Sequence, residues 1–345
     1  MRIAVVNNWA PFLRGGAEYL ADALTHKFRE YGHSALSIRL PFRWSPPERI
    51  LDHILACRCV RLANVDRVVA LKFPAYFVPH ENKVLWLLHQ FRQAYDLWGT
   101  ALQDLPDSAD GRRIRDTIVR SDNEFLPEFR TIYTNSHVTA DRLRRFNGIE
   151  STVLYPPLLR SDHLVEGDYG DYIFVPGRIT LAKRQHVALE AMRHVRTAVR
   201  MVIAGPPESE ADTGRLREIA ARFSLGDRVR IVPQFIAEEE KASLLSDALA
   251  CIYIPHDEDS YGYVTLEAAH AAKATITCSD SGGITILAID GQTGLVCDPD
   301  PRALAAAIDR LYLDRTEAAR LGRAARDLIR TLKIDWDHVI ERLTS

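Results

Sequence analysis

Short apolar runs alternate with charged, amphipathic stretches along the whole chain. The chain opens on Ile3-Ala-Val-Val6, which ends in Asn7-Asn8 and reads as a buried strand. A loop over 11–18 opens a helix that runs to about Tyr31 and is closed by Gly32-His33, and a second strand covers 34–38. A helix to about 62 and strands at 67–71, 83–88, 131–134 and 153–155 continue the first half, with a helix over 138–146 before its last strand. After Pro156-Pro157 the pattern restarts with strands at 172–175, 201–204, 229–232, 250–254 and 274–278 and helices between them. Helices over 301–313, 315–330 and 336–343 finish the chain. Strands that alternate with helices pair in parallel and are covered on both faces. Two such runs predict an α/β protein of two doubly wound, Rossmann-like domains facing each other across a cleft. The proline pair places their boundary at 157/158.

Composition adds limits rather than chemistry. A length of 345 residues suits two domains, and 47% apolar with 26% charged residues is ordinary for a globular protein. No run of eighteen uncharged apolar residues predicts a membrane span, and the first strand is too short for the core of a signal peptide. The five cysteines are read as reduced thiols of a cytoplasmic protein, with neither disulfides nor zinc. Residues 1–157 hold 21 Lys and Arg against 17 Asp and Glu, and the remainder 23 against 29. That mild asymmetry permits peripheral contact of the N-terminal half with anionic lipid or with a phosphorylated acceptor. Nothing in it suggests nucleic acid.

Candidate chemistry lies in the loops that follow strands, where open α/β sheets receive ligands. Gly15-Gly16 precedes the first helix without the spacing of a dinucleotide fingerprint, so it is either a phosphate-facing turn or a plain one. His89 stands at the end of an apolar strand, a place that serves a ligand or merely a core. Gly177-Arg178 and Lys183 straddle a strand-to-helix loop. Two cations there suit a diphosphate, or are simply solvated. Asp259-Ser-Tyr-Gly-Tyr-Val-Thr-Leu-Glu267 joins a strand to a helix whose start falls at Gly262. A helix start attracts anions and hydroxyls, and Glu267 favours such a start even without a ligand.

Taken together these motifs resemble the retaining GT-B glycosyltransferases of the GT4 family. Asp259 and Glu267 match that family's E-x7-E motif, with Asp where Glu is usual. Gly15-Gly-Ala-Glu18 with Gly32-His33, Tyr155-Pro-Pro157, Gly177-Arg178 with Lys183, Ser281-Gly-Gly283, Asp290-Gly-Gln-Thr-Gly294 and the Asp335-Trp336 helix match as well. Ile286 departs from a common Glu. The resemblance implies an N-terminal acceptor-side domain over 1–157, a nucleotide-sugar-binding domain over 158–334, and a last helix, 335–345, that crosses back. It implies catalytic roles for His89, Arg178, Lys183 and Asp259. Donor binding would fall to Gly15, Gly16, Gly177, Gly262, Tyr263, Val264 and Glu267, with Glu267 on the ribose. The implied reaction moves a hexose from a nucleotide diphosphate sugar to a hydroxyl of a glycan, lipid-linked or small-molecule acceptor. Configuration is retained, and neither a metal nor a bound cofactor is expected. Asp298-Pro-Asp300 has the spacing of a metal motif, yet it reads as the start of a helix. Two rival readings carry less: a GT-B epimerase or phosphorylase, and a non-catalytic nucleotide-sugar-binding partner suggested by the shorter acid at Asp259.

Overall fold

The computed structural model describes residues 1–12 and 15–345. It divides into two units, Met1–Leu159 with Ile334–Ser345, and Arg160–Lys333. In the first, the chain runs β1 (Arg2–Trp9), α1 (Gly16–Glu30), β2 (Ser34–Pro41), α2 (Arg49–Cys59), β3 (Arg67–Ala70), β4 (Lys83–Leu87), α3 (Ala109–Phe125), β5 (Thr131–Thr134), α4 (His137–Asn147) and β6 (Thr152–Val153). The six strands form one sheet in the order β2-β1-β3-β4-β5-β6, and every pairing is parallel. The continuous apolar runs of β1, β3 and β4 are buried because helices cover both faces. Local chemistry sets the helix ends. The Glu18 carboxylate accepts the Gly15 N–H at 2.9 Å where α1 begins, and Ser108 and Ser136 cap α3 and α4. Between β4 and β5 the chain carries the whole of α3.

The second unit runs β7 (Tyr172–Pro176), α5 (Gln185–Ala191), β8 (Arg200–Ala204), α6 (Glu210–Arg222), β9 (Val229–Val232), α7 (Glu238–Ser246), β10 (Ala250–Ile252), α8 (Tyr263–His270), β11 (Thr275–Cys278), β12 (Gly294–Cys297), α9 (Pro301–Leu313) and α10 (Arg315–Thr331). Its sheet has the order β12-β11-β10-β7-β8-β9, again wholly parallel. The order reverses direction beside β7 and β10, the kind of switch point at which such sheets bind ligands. Asp300 caps α9, accepting the amides of Arg302 and Ala303.

The final helix, α11 (Trp336–Thr344), belongs to the first unit. Its Trp336 Nε1–H donates to Leu158 O at 2.7 Å, and Leu159 N–H donates to the Tyr19 hydroxyl at 2.9 Å. These two bonds keep Leu158 and Leu159 with the first unit, two residues beyond the proline pair. Val339, Ile340 and Leu343 are buried against Ile3, Val5 and Trp86, each contributing about 1.5–3 kcal/mol of apolar burial. Among the described residues no helix is long and apolar enough to cross a membrane.

Candidate active site

In the second unit, the loops after β7 and β10 converge. β7 ends in Gly177, whose φ is +115° and whose N–H donates to Ala204 O at 3.0 Å. A Cβ there would meet Val264 Cγ2 at 3.7 Å, so the Gly177 backbone abuts the start of α8. Gly262 precedes that start with φ +68°, and a Cβ on it would stand 2.5 Å from the Tyr253 ring. Only glycine suits both the conformation and the space. The amides of Tyr263 and Val264 then open the helix, where no intrahelical acceptor precedes them.

Lys183 lies on a short helical turn capped by Thr180, whose hydroxyl accepts the Lys183 N–H at 3.2 Å. Its ammonium donates to the Tyr253 hydroxyl at 2.7 Å and to the Glu258 carboxylate. Burial works against that charge, but Tyr253 and Glu258 outweigh it and hold the ammonium above its usual range. Lys183 is thus charged, half-buried and fixed in place. Arg178 is different. Its guanidinium is 52% exposed and sits 3.7 Å from Glu208, out toward solvent.

Asp259 is half-buried in the loop between β10 and α8. That loop is sewn to the one after β11: Asp257 N–H donates to Asp280 O at 2.9 Å, and Gly283 N–H to Glu258 O at 2.8 Å. Arg184 locks both. It forms a bidentate pair with Asp280 at 2.7 Å and also donates to Ile254 O and Pro255 O. Glu267 lies one turn into α8, with its carboxylate 2.7 Å from Lys241 Nζ. Burial pushes its carboxyl up, and Lys241 opposes the shift. Four residues therefore complete this neighbourhood beyond those the motifs supply: Glu258, Tyr253, Arg184 and Lys241. Glu258 and Arg184 have a signal, being sequence neighbours of Asp259 and Lys183. Tyr253 and Lys241 have none.

In the first unit, Gly15 and Gly16 begin α1 at the carboxyl end of β1, with the Gly15 amide already held by Glu18. His89 follows β4, half-buried, with Nδ1 2.6 Å from Gln90 O. A carbonyl only accepts, so Nδ1 carries the proton and Nε2 is left as an acceptor. Burial, with Lys72, Arg92 and Arg142 nearby, pushes this imidazole down to about 3. His89 is therefore a neutral hydrogen-bond acceptor at ordinary pH. Among the described residues, no group of three or more His, Cys, Asp or Glu is placed to hold a metal ion.

Residues 161–328, which include every element of the second unit's site, match the family model described as glycosyl transferases group 1. These residues form a domain of that family. A D-inositol 3-phosphate glycosyltransferase from Acidothermus cellulolyticus is 29% identical over 347 residues, covering 87% of this chain and 72% of the relative. Three further proteins of that description match over 26–39% of their own length. Among solved structures, sucrose-phosphate synthase from Thermosynechococcus elongatus superposes with a TM-score of 0.79 at 18% identity, over 99% of this chain and 97% of that one. Anabaena HepE, solved with UDP and glucose, gives 0.73 at 16% identity, over 100% and 98%. The fold of the chain is GT-B.

Proposed function

We propose that this protein is a retaining hexosyltransferase that takes a nucleotide diphosphate sugar as donor and needs no metal. The observation that carries this reading is the Lys183 ammonium, kept charged beside the start of α8 at a sheet's carboxyl edge. An approaching diphosphate displaces Glu258 as the partner of Lys183. Arg178, held only loosely by Glu208, turns in to supply the second cation. The amides of Tyr263 and Val264 meet phosphate oxygens at the helix start. Glu267 accepts hydrogen bonds from the ribose hydroxyls, and Asp259 accepts one from the sugar. His89 Nε2 accepts another from a sugar hydroxyl. The HepE complex with UDP and glucose supports a donor of this class.

The bond from the sugar's anomeric carbon to the diphosphate oxygen breaks, and the acceptor oxygen bonds to that carbon from the same face. The acceptor's proton passes to the departing phosphate oxygen. Negative charge grows on the diphosphate as the bond breaks, and cations already in place stabilise it without reorganisation. The acceptor is a hydroxyl of a glycan, a lipid-linked sugar or a small molecule. The relative named for inositol 3-phosphate favours the last class. Calorimetric titration with UDP, GDP and ADP in EDTA tests the donor assignment. One of the three should bind with chelator present. No binding of any, or binding only after magnesium is added, would refute it.

A further inference from the structure

Behind His89 lies a buried polar chain whose hydrogen bonds all run one way. Asp122, on α3, has no exposed surface. One of its oxygens accepts the Tyr76 hydroxyl at 2.7 Å, and the other accepts the Tyr95 hydroxyl. With its proton committed to Asp122, the Tyr95 oxygen is left to accept, and it receives Asn147 Nδ2 at 3.3 Å. The second Nδ2 hydrogen of Asn147 goes to Asn123 Oδ1 at 2.6 Å. Both amide donors of Asn147 are then used, so its Oδ1 must face the other way, where it accepts Gln90 Nε2. Gln90 is 4% exposed, and its main-chain carbonyl takes the proton on His89 Nδ1 at 2.6 Å. While Asp122 is ionised, each group from imidazole to carboxylate has one allowed role.

We propose that Gln90 and Asn147 are positioning residues for His89. They fix its Nδ1–H tautomer and ring plane so that Nε2 stands ready as an acceptor for the sugar hydroxyl. This deepens the transferase reading and rests on it for the hydroxyl, but not for the tautomer. The physical logic is one of restraint. A side chain anchored at its far end cannot turn its own peptide, so the Gln90 carbonyl stays aimed at His89. An Asn147 whose donors are both spent cannot flip. Buried chains of this kind gain from mutual polarisation when every member is satisfied. The charged groups around the imidazole are Lys72, Arg92 and Arg142, with Asp96 bridging the two arginines at 2.6 and 3.4 Å. Anchored among them, the ring has little reason to take up a proton.

Nitrogen-15 NMR of the full chain labelled at histidine tests the proposal, with His89→Asn used to assign the signal. Wild-type protein at pH 7 should show a neutral His89 protonated at Nδ1. Protonation at Nε2 would overturn the proposal without any variant. In Gln90→Met and in Asn147→Leu the ring should lose its fixed tautomer and show a mixture of Nδ1–H and Nε2–H forms, still uncharged at pH 7 because burial and the nearby cations are unchanged. In both variants kcat should fall roughly 10–100-fold, the scale for a mispositioned group. Donor KM should stay within about threefold, and the loss should not add to that of His89→Asn when the two are combined. Folded variants with a wild-type tautomer and a wild-type kcat would overturn the proposal. Failure of the transferase reading looks different: wild-type enzyme would turn over no nucleotide sugar, while the tautomer could still be read.

Discussion

Replacing Lys183 by Met separates what this side chain does for the fold from what it does for transfer. Met keeps an unbranched stem of similar length, so the packing along the loop survives. Two interactions go: the 2.7 Å hydrogen bond to the Tyr253 hydroxyl and the ion pair with Glu258. The pair is partly solvated, at 23% and 29% side-chain exposure, so Glu258 can rehydrate and the loss is about 1 kcal/mol or less. The tyrosine bond adds about 1 kcal/mol. A total of about 2 kcal/mol leaves the protein folded. Catalysis loses more. A preorganised charge aimed at a leaving group is worth a factor of about 10²–10³, or ~2.7–4 kcal/mol. Because the diphosphate gains charge as the bond breaks, kcat should fall further than donor KM rises. Thermal melts and steady-state kinetics on one active donor measure both. The companion Glu258→Gln removes the carboxylate that holds Lys183 before the donor arrives. Donor affinity should then rise about three- to tenfold, since a pair of this exposure resists displacement by about 1 kcal/mol. Turnover of Lys183→Met within about threefold of wild type, in a folded protein, would refute the diphosphate assignment.

Gly262→Ala places a Cβ 2.5 Å from the Tyr253 ring at φ +68°, so α8 must shift. Donor affinity should fall at least about tenfold and the melting temperature should drop; unchanged binding by calorimetry would contradict the assigned role of that helix start. Asp122→Asn should change the pH dependence of stability. Burial raises the Asp122 carboxyl to about 7, from about 3.9 when unfolded, with the two tyrosine bonds opposing. Between those values the folded state holds the extra proton, so stability from this group is full below about pH 4 and is lost as pH rises through about 7. The Asn variant should lose that decline in melts taken from pH 5 to 8, whereas an unchanged slope would place the titration elsewhere.

The fold is legible because burial on both faces leaves unbroken apolar runs, and strict alternation of apolar with polar residues is absent from strands such as 67–71 and 83–88. The candidate site is legible only where a loop carries its own signature. Motif spacing names Lys183 and Glu267 but not their partners. Tyr253 lies 70 residues from Lys183 in sequence, and Lys241 lies 26 from Glu267. Those pairings arise from which strands are neighbours in the sheet, and no local pattern encodes them. Arg178 shows the reverse: the motif names it, while its side chain points to Glu208 and solvent. The strand end draws attention to His89, yet its neutrality comes from burial and from the surrounding cations Lys72, Arg92 and Arg142, and its tautomer from the peptide of Gln90. Asn147 is 57 residues from Gln90, and no residue spacing marks the chain that joins them.

The central proposal is transfer with retained configuration from a nucleotide diphosphate sugar, driven by the protein's own cations. Proton NMR of the first-formed product tests it most directly. Purified full-length enzyme would be incubated in EDTA with α-linked UDP- and GDP-hexoses and an acceptor panel that includes inositol phosphates, and the anomeric coupling read before any mutarotation. An α-linked product formed in the presence of chelator is the predicted result. A β-linked product, or transfer that appears only when magnesium is restored, would contradict it.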